Sequence, residues 1–362
     1  MRLEPQSQHY IFQCYDWLSF WQETVGDHSI RIKPWIAVVL NEEEQVRMIF
    51  PLGIRRHWGI RVLEFLGGES SDYLGPLIHD KWMSNIDKIQ LAWNRVLKEI
   101  PAHDIKHFIK LPAKWGIEEN PILKIWKSTL QGNSYSATLP SDFDEFRSKL
   151  RKKLRQDNNR QRRRLSERGL VVFEIANKND NELQVALDVM IKQKRQRYQD
   201  TGVPDIFSQE IVRQFYKMLS EKLSGEGKIH FSLLNLENEI LASHWGATYR
   251  GRFYYLMPTY AGRQWGTYSP GRLLLENLIE WSIQHDFKVF DFTVGGEDYK
   301  KDWCDTKMSY FEHLSVAKPF GMAYFGYIRL KRRARNSERT WRIVKFFYSW
   351  LRMGNKINNN SN

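Results

Sequence analysis

The sequence predicts an α/β fold with a mixed sheet, laid out as two α/β halves in tandem. Three observations predict it. In the first half, PWIAVVL (34–40), QVRMIFPL (45–52) and RVLEFL (61–66) read as strands and precede a long amphipathic stretch, Asp80 to Ile100, and a strand-like DIKHFIKL (104–111). The second half reads β-α-α-β-β-β-α-β from Leu170 to Thr293. Apolar residues make up 42% of 362, enough to build the cores of two ordinary domains.

The elements follow in order. Residues 9 to 28 form an aromatic-rich helix. Asn41 to Glu44 supplies a polar turn between the first two strands. Gly67 to Asp72 is a loop, and Tyr73 to Ile78 a further strand. Residues 112 to 140 are a weakly patterned connection. Ser141 caps a helix with acidic residues in its first turn, and that helix becomes the basic run 147–168 with a sparse stripe of Phe146, Leu150, Leu154 and Leu165. Gly169 is a credible C-cap. Leu170 to Ile175 is a strand, and Asn181 to Tyr198 and Gln209 to Leu223 are helices. Ile229 to Leu236, Glu239 to Tyr249 and Arg252 to Thr259 form a meander. A helix then opens at Ser269-Pro270-Gly271 and returns to a short strand, Phe287 to Thr293, with one more apolar segment at Tyr310 to Val316.

The net charge of +13 is concentrated. Residues 147–168 carry eleven Lys/Arg against Asp157 and Glu167, residues 329–356 carry ten against Glu338, and the remainder is mildly acidic. Such segments suit phosphates, nucleic acid or an anionic membrane, or form solvated helix faces. Cys14 and Cys304 lie far apart, which excludes a disulfide framework and fits a reduced, cytoplasmic setting. The N-terminus lacks a secretory layout, and no window of some twenty apolar residues offers a membrane span. His9, His28, His57, His79, His103 and His107 are scattered and predict no metal cluster.

The loop from Tyr260 to Gly271 is the candidate phosphate site. Ser269 can cap the helix, Pro270 suits its first position, and Gly266 and Gly271 let backbone approach a ligand. Free amides at a helix N-terminus bind anions such as a pyrophosphate. Ser-Pro-Gly also opens many helices that hold no ligand, and the placement between a meander and a returning strand favours the functional reading.

That element order resembles the GNAT acyltransferase fold. YYLMPTYAGRQWGTYSPGRLLLENLIEW (254–281), FDFTVGGEDYKKDW (290–303) and LRKKLRQDNNRQRRRLSERGLVVFE (150–174) resemble an acetyltransferase family named for cellulose biosynthesis, linked to bacterial exopolysaccharide and related to the Fem peptidoglycan aminoacyltransferases. The similarity runs from about residue 30 to 320, and Ala261-Gly262 departs from the common pattern. It implies two GNAT-like halves: 1–140 degenerate, 141–169 a basic helix, 170–320 catalytic, and 321–362 a basic aromatic tail.

The resemblance implies acetyl-CoA or another acyl-CoA as co-substrate, held by Gly266, Tyr268, Ser269, Gly271 and Arg272, with no metal. The acceptor would be a sugar or lipid-linked saccharide in surface-polysaccharide synthesis, contacted by Lys300, Lys301 and Trp303. Glu297, Asp291 and His244 compete as the base, and Tyr299 or Tyr268 can donate to the thiolate; each also has an ordinary packing role open to it. The tail can meet an anionic membrane. No specific DNA partner is implied. Two alternatives stay open: a Fem-like transferase using aminoacyl-tRNA, and a catalytically inactive scaffold of a polysaccharide synthase.

Overall fold

The computed structural model describes residues 3–176 and 180–336. After two short 3-10 turns, α1 (Tyr15–Trp21) continues as a π-helical segment (Gln22–Ile30). Strands β1 (Lys33–Leu40), β2 (Val46–His57) and β3 (Ile60–Phe65) form an antiparallel meander, and β4 (Leu77–Ile78) pairs with β2. Then come α2 (Ile86–Glu99), β5 (Ile105–Pro112), a small hairpin of β6 (Lys114–Trp115) and β7 (Glu118–Glu119), α3 (Ile122–Ile125) and β8 (Thr129–Thr138). The basic region is two helices, α4 (Phe143–Lys149) and α5 (Lys152–Ser166).

The second half holds β9 (Val171–Ile175), α6 (Asp180–Thr201), α7 (Glu210–Leu223), β10 (Ile229–Leu236), β11 (Glu239–Tyr249) and β12 (Arg252–Tyr260). It continues with α8 (Pro270–Gln284), β13 (Val289–Val294), β14 (Thr306–Val316) and α9 (Gly321–Asn336). The basic aromatic tail expected for 321–362 lies outside the described residues beyond Asn336.

All strands except β6 and β7 join one sheet in the order β1-β2-β3-β5-β14-β8-β13-β12-β11-β10-β9. Its two halves repeat one plan. Each has an antiparallel meander whose last strand pairs in parallel with the strand that returns from a helix: β3 with β5, and β12 with β13. The next strand of each half crosses to the other half, so β8 pairs with β13 and β14 with β5, while β8 and β14 pair with each other at the centre.

β8 corrects the sequence reading of a weakly patterned connection. TLQGNSYSAT has little apolar content, and most of its residues are partly or fully exposed. Its order comes from ladders on both edges, to β13 and β14, rather than from an apolar face. Two caps also differ from expectation. Asp142, rather than Ser141, accepts the amide of Glu145 at 2.9 Å and caps α4. Ser269 is left-handed at φ 54 and makes no side-chain cap.

Two apolar layers sandwich the second-half strands. Phe253, Phe290 and Phe292 point to the face covered by α8, whose Leu273, Leu274, Leu278 and Ile279 are buried against them. Burying such side chains contributes about 1.5–3 kcal/mol each. Alternate residues Trp245 and Tyr254 point to the opposite face, into the core shared with α1, α6 and α7. α6 and α8 therefore lie on opposite faces of one sheet.

Candidate active site

The site begins where two parallel strands part. β12 and β13 pair only at Arg252↔Val289, Phe253↔Phe290 and Tyr254↔Asp291, although β12 runs on to Tyr260. Both strands carry a local cause. In β13 the Asp291 carboxylate accepts the amide of Thr293 at 2.8 Å, and the ladder to β8 slips between these two residues. Thr293 is held at φ 58, a left-handed conformation that a β-branched residue adopts at a cost of about 1–3 kcal/mol. In β12, Pro258 has no N–H to give a neighbouring strand, and its carbonyl accepts Lys194 Nζ at 3.2 Å.

A cavity of about 650 Å³ fills the gap. Its lining comes from both faces of the sheet: Gly266, Ser269, Gly271 and Arg272 from the α8 side, and Lys194 and Arg197 from α6. Asp72, from the loop of the first half, joins the lining beside Thr293. The cavity thus passes through the sheet at the splay.

On the α8 side, the helix-opening turn leaves donors free. Pro270 has no N–H. The Ser269 carbonyl accepts the amides of Arg272 at 3.0 Å and Leu273 at 3.2 Å, and the Gly271 amide takes no protein partner among the described residues. A Cβ on Gly271 would sit 3.2 Å from Tyr260 Cδ1, so glycine allows the turn to close on the strand. Arg272 is braced by Asp157 of α5. These groups fit a diphosphate at the positive end of the α8 dipole. The edge of β12 beyond Tyr254, unpaired toward β13, can take an extended amide-bearing arm by backbone hydrogen bonds.

Of the residues expected at the site, the cavity lining holds Gly266, Ser269, Gly271, Arg272, Glu297, Tyr299, Lys300 and Trp303. Lys300 is buried; its ammonium donates to the Val294 carbonyl at 2.9 Å and meets the Glu297 carboxylate at 3.0 Å, so it staples the turn after β13. Trp303 packs its ring into the α8 core. Burial first, then Glu297, raises the Tyr299 phenol above its usual range and keeps it a proton donor.

Four expectations are corrected. Asp291 is 1% exposed, and its carboxylate is engaged by Arg252 at 2.9 Å, Tyr73 Oη at 3.1 Å and the Thr293 amide. It shapes the splay and does not line the cavity. His244 is sealed in the core, stacked on Tyr255 at 4.6 Å with neither ring nitrogen hydrogen-bonded among the described residues, and burial holds its pKa well below the usual value. Tyr268 lies outside the cavity, its hydroxyl accepting Arg168 Nε at 3.0 Å and its ring under Arg164. Lys301 is exposed and pairs with Asp298 at 2.8 Å.

Three cavity residues escaped the sequence reading. Burial raises the Asp72 carboxyl above its usual range, against the opposing pull of Lys110 and the Thr293 hydroxyl. Lys194 is lowered to about 8 by burial, then by Arg197. Arg197 lies over the Tyr260 ring at 5.2 Å. The only local signal was that Lys194 and Arg197 sit three apart on one helix face; nothing near Asp72 in sequence marks it.

Residues 152–301 match the model of the Acetyltransferase (GNAT) domain. In structure the chain is similar to FemX, with a TM-score of 0.59 at 11% identity, over 85% of this chain and 94% of that one. It is similar to a conserved protein of unknown function from Bacteroides thetaiotaomicron, with a TM-score of 0.50 at 10% identity, over 83% and 89% of the two chains. A third similar structure is the C-terminal domain of a candidate lysylphosphatidylglycerol synthetase from Agrobacterium fabrum, with a TM-score of 0.50 at 11% identity, over 86% and 95%. At such identities these likenesses speak for the fold. No curated protein sequence matches the chain. The mixed α/β fold is GNAT-like in tandem halves, and over residues 152–301 the chain is similar to a GNAT acetyltransferase domain, which supports an acyltransferase with an acyl-CoA co-substrate.

Proposed function

We propose that this protein moves an acyl group, acetyl in the simplest case, from acyl-CoA to a hydroxyl or amine of a sugar acceptor in bacterial surface-polysaccharide synthesis. The observation that carries the transfer reading is the splay of β12 from β13 directly beneath the opening turn of α8. The sugar acceptor and its pathway rest on the sequence resemblance around Asp291 to Trp303.

The bound co-substrate would supply a thioester carbonyl and a thiolate leaving group. Gly271 and Arg272 would hold its diphosphate. Three carboxylates line the cavity, Asp72, Glu297 and Asp302, the last held by Arg151. Asp72 is the stronger base candidate, because burial raises its basicity while its position keeps it in the cleft. Tyr299 holds a proton for the departing thiolate. Amides on the open edge of β12 face the space where an oxyanion would form. The basic tail is proposed to touch an anionic membrane; Leu330 is exposed between Arg329 and Lys331. No helix among the described residues is long and apolar enough to cross one.

A second donor, aminoacyl-tRNA, is favoured by one observation: the basic helix α5 packs against α8 and the turn that precedes it, on the donor side of the cavity. Supplying the purified protein with acetyl-CoA or with charged tRNA, and following loss of the thioester or of the aminoacyl ester, separates the two. The acyl-CoA reading expects thioester loss alone.

A further inference from the structure

We propose that the acceptor carries an oxyanion, a phosphate or a carboxylate, and that Lys194 and Arg197 bind it on the sheet face opposite the donor loop. The word acceptor rests on the acyltransferase reading above; the anion subsite itself does not.

The charges around the cavity are unequally matched. On the α8 side each is engaged: Arg272 with Asp157, Asp302 with Arg151, and Lys300 with Glu297. On the α6 side they are not. Among the described residues the Lys194 ammonium has a single hydrogen-bond acceptor, the Pro258 carbonyl at 3.2 Å, and no ion pair, with Glu297 acting on it only through space. Arg197 forms no ion pair among the described residues and rests on Tyr260. The two stand on one face of α6, three residues apart, and both line the cavity.

A second, independent observation points to a ligand there. Thr259, the residue after Pro258, is 1% exposed, lines the same cavity, and its hydroxyl has no partner among the described residues. An unpartnered buried hydroxyl is unfavourable, and a ligand acceptor atom would relieve it. Two unmatched cations and a free hydroxyl form a set of donors that an oxyanion would satisfy. Arginine offers a planar fork and lysine a point charge, the pair used for phosphate and carboxylate.

The basic helix α5 does not compete for this role. It lies on the other face, and its inward cations are engaged: Arg162 with Glu276 at 2.9 Å, Arg151 with Asp302, and Arg164 and Arg168 around Tyr268. An anionic group entering from the α6 side would meet Lys194 and Arg197 first. It would leave the nucleophile near Asp72, on the same side of the splay. Burial and Arg197 lower the Lys194 pKa, and Glu297 opposes them.

The test is calorimetric titration of inorganic pyrophosphate, and separately of glucuronate, into the full-length protein saturated with acetyl-CoA. Wild type, Lys194→Met and the Lys194→Met/Arg197→Met pair are compared, with circular dichroism to verify folding. We expect one of the two anions to bind saturably with acetyl-CoA present, and the anion that binds names the oxyanion class. The double variant should weaken that anion at least about tenfold, a loss of about 1.4 kcal/mol, while acetyl-CoA affinity stays unchanged. The proposal is overturned if neither anion binds, if acetyl-CoA displaces both, or if the double variant binds them as wild type does. Anion binding that depends on Lys194 and Arg197 in a protein that fails to bind acetyl-CoA would support the subsite and reject the donor reading instead.

Discussion

The Asp291 carboxylate accepts the backbone amide of Thr293, two residues on, and holds it in a left-handed turn. That bond lies where β13 leaves β12, so a residue expected to act as a base instead opens the cleft in which a base can work. Arg252 and Tyr73 fix the same carboxylate from two other strands and loops.

Asp291→Ala should therefore act on stability and on donor binding together. It leaves the half-buried Arg252 guanidinium without its partner, a loss of up to about 3 kcal/mol. Urea denaturation measures the first effect and acetyl-CoA calorimetry the second. A variant with full stability would remove Asp291 from its structural role.

Asp72→Asn should lower CoA-thiol release by about 10²- to 10⁴-fold while acetyl-CoA binding is retained. Glu297→Gln should cost less. Because burial raises the Asp72 carboxyl, kcat/KM should fall as pH drops through a value above the ordinary carboxylate range of about 4. The reverse ranking of the two variants would assign the base to Glu297.

Lys194 gives a stability signature. Its folded pKa of about 8 lies below its ordinary 10.5. Between those values the unfolded chain binds the proton that the native state has released, so this residue's contribution to stability rises with pH across that window. Below pH 8 the contribution is a constant penalty. Subtracting the pH profile of Lys194→Met from that of wild type should expose the rise. A flat difference would mean that the ammonium is well solvated.

His244 and His230 are buried neutral, with His230 lowered to about 3 by burial and then by His285. As pH falls below about 6.5 the unfolded chain gains protons that the native state excludes, and stability drops. His244→Phe should lessen this acid sensitivity and leave thioester turnover in place. Loss of turnover in a folded His244→Phe protein would return this histidine to the chemistry.

What the sequence made legible was local. The turn at Ser269-Pro270-Gly271, the meander before it and the helix after it each carry their own chemistry within a few residues, and the structure places Gly266, Ser269, Gly271 and Arg272 on one cavity wall. What it hid was tertiary. β8 is nearly devoid of apolar pattern and exists because β13 and β14 flank it. Asp72 reaches the cavity from a loop of the first half that carries no motif. Asp291 was visible only as an acid at the end of a strand; whether it faced a cleft depended on Arg252 and Tyr73, which the sequence scatters over some two hundred positions. The role of Ser269 also turned on backbone: as a left-handed residue it offers its carbonyl, rather than its hydroxyl, to the first turn of α8.

The central claim is that the opening turn of α8 holds the diphosphate of an acyl-CoA. Calorimetry of acetyl-CoA against wild type and Gly271→Glu tests it most directly. The new side chain would meet Tyr260 and bring a negative charge to the Gly271 amide. The account predicts saturable binding to wild type and a loss of at least about a hundredfold, roughly 2.7 kcal/mol, in the folded variant. Equal affinity in the two proteins, or no binding to wild type, would contradict it.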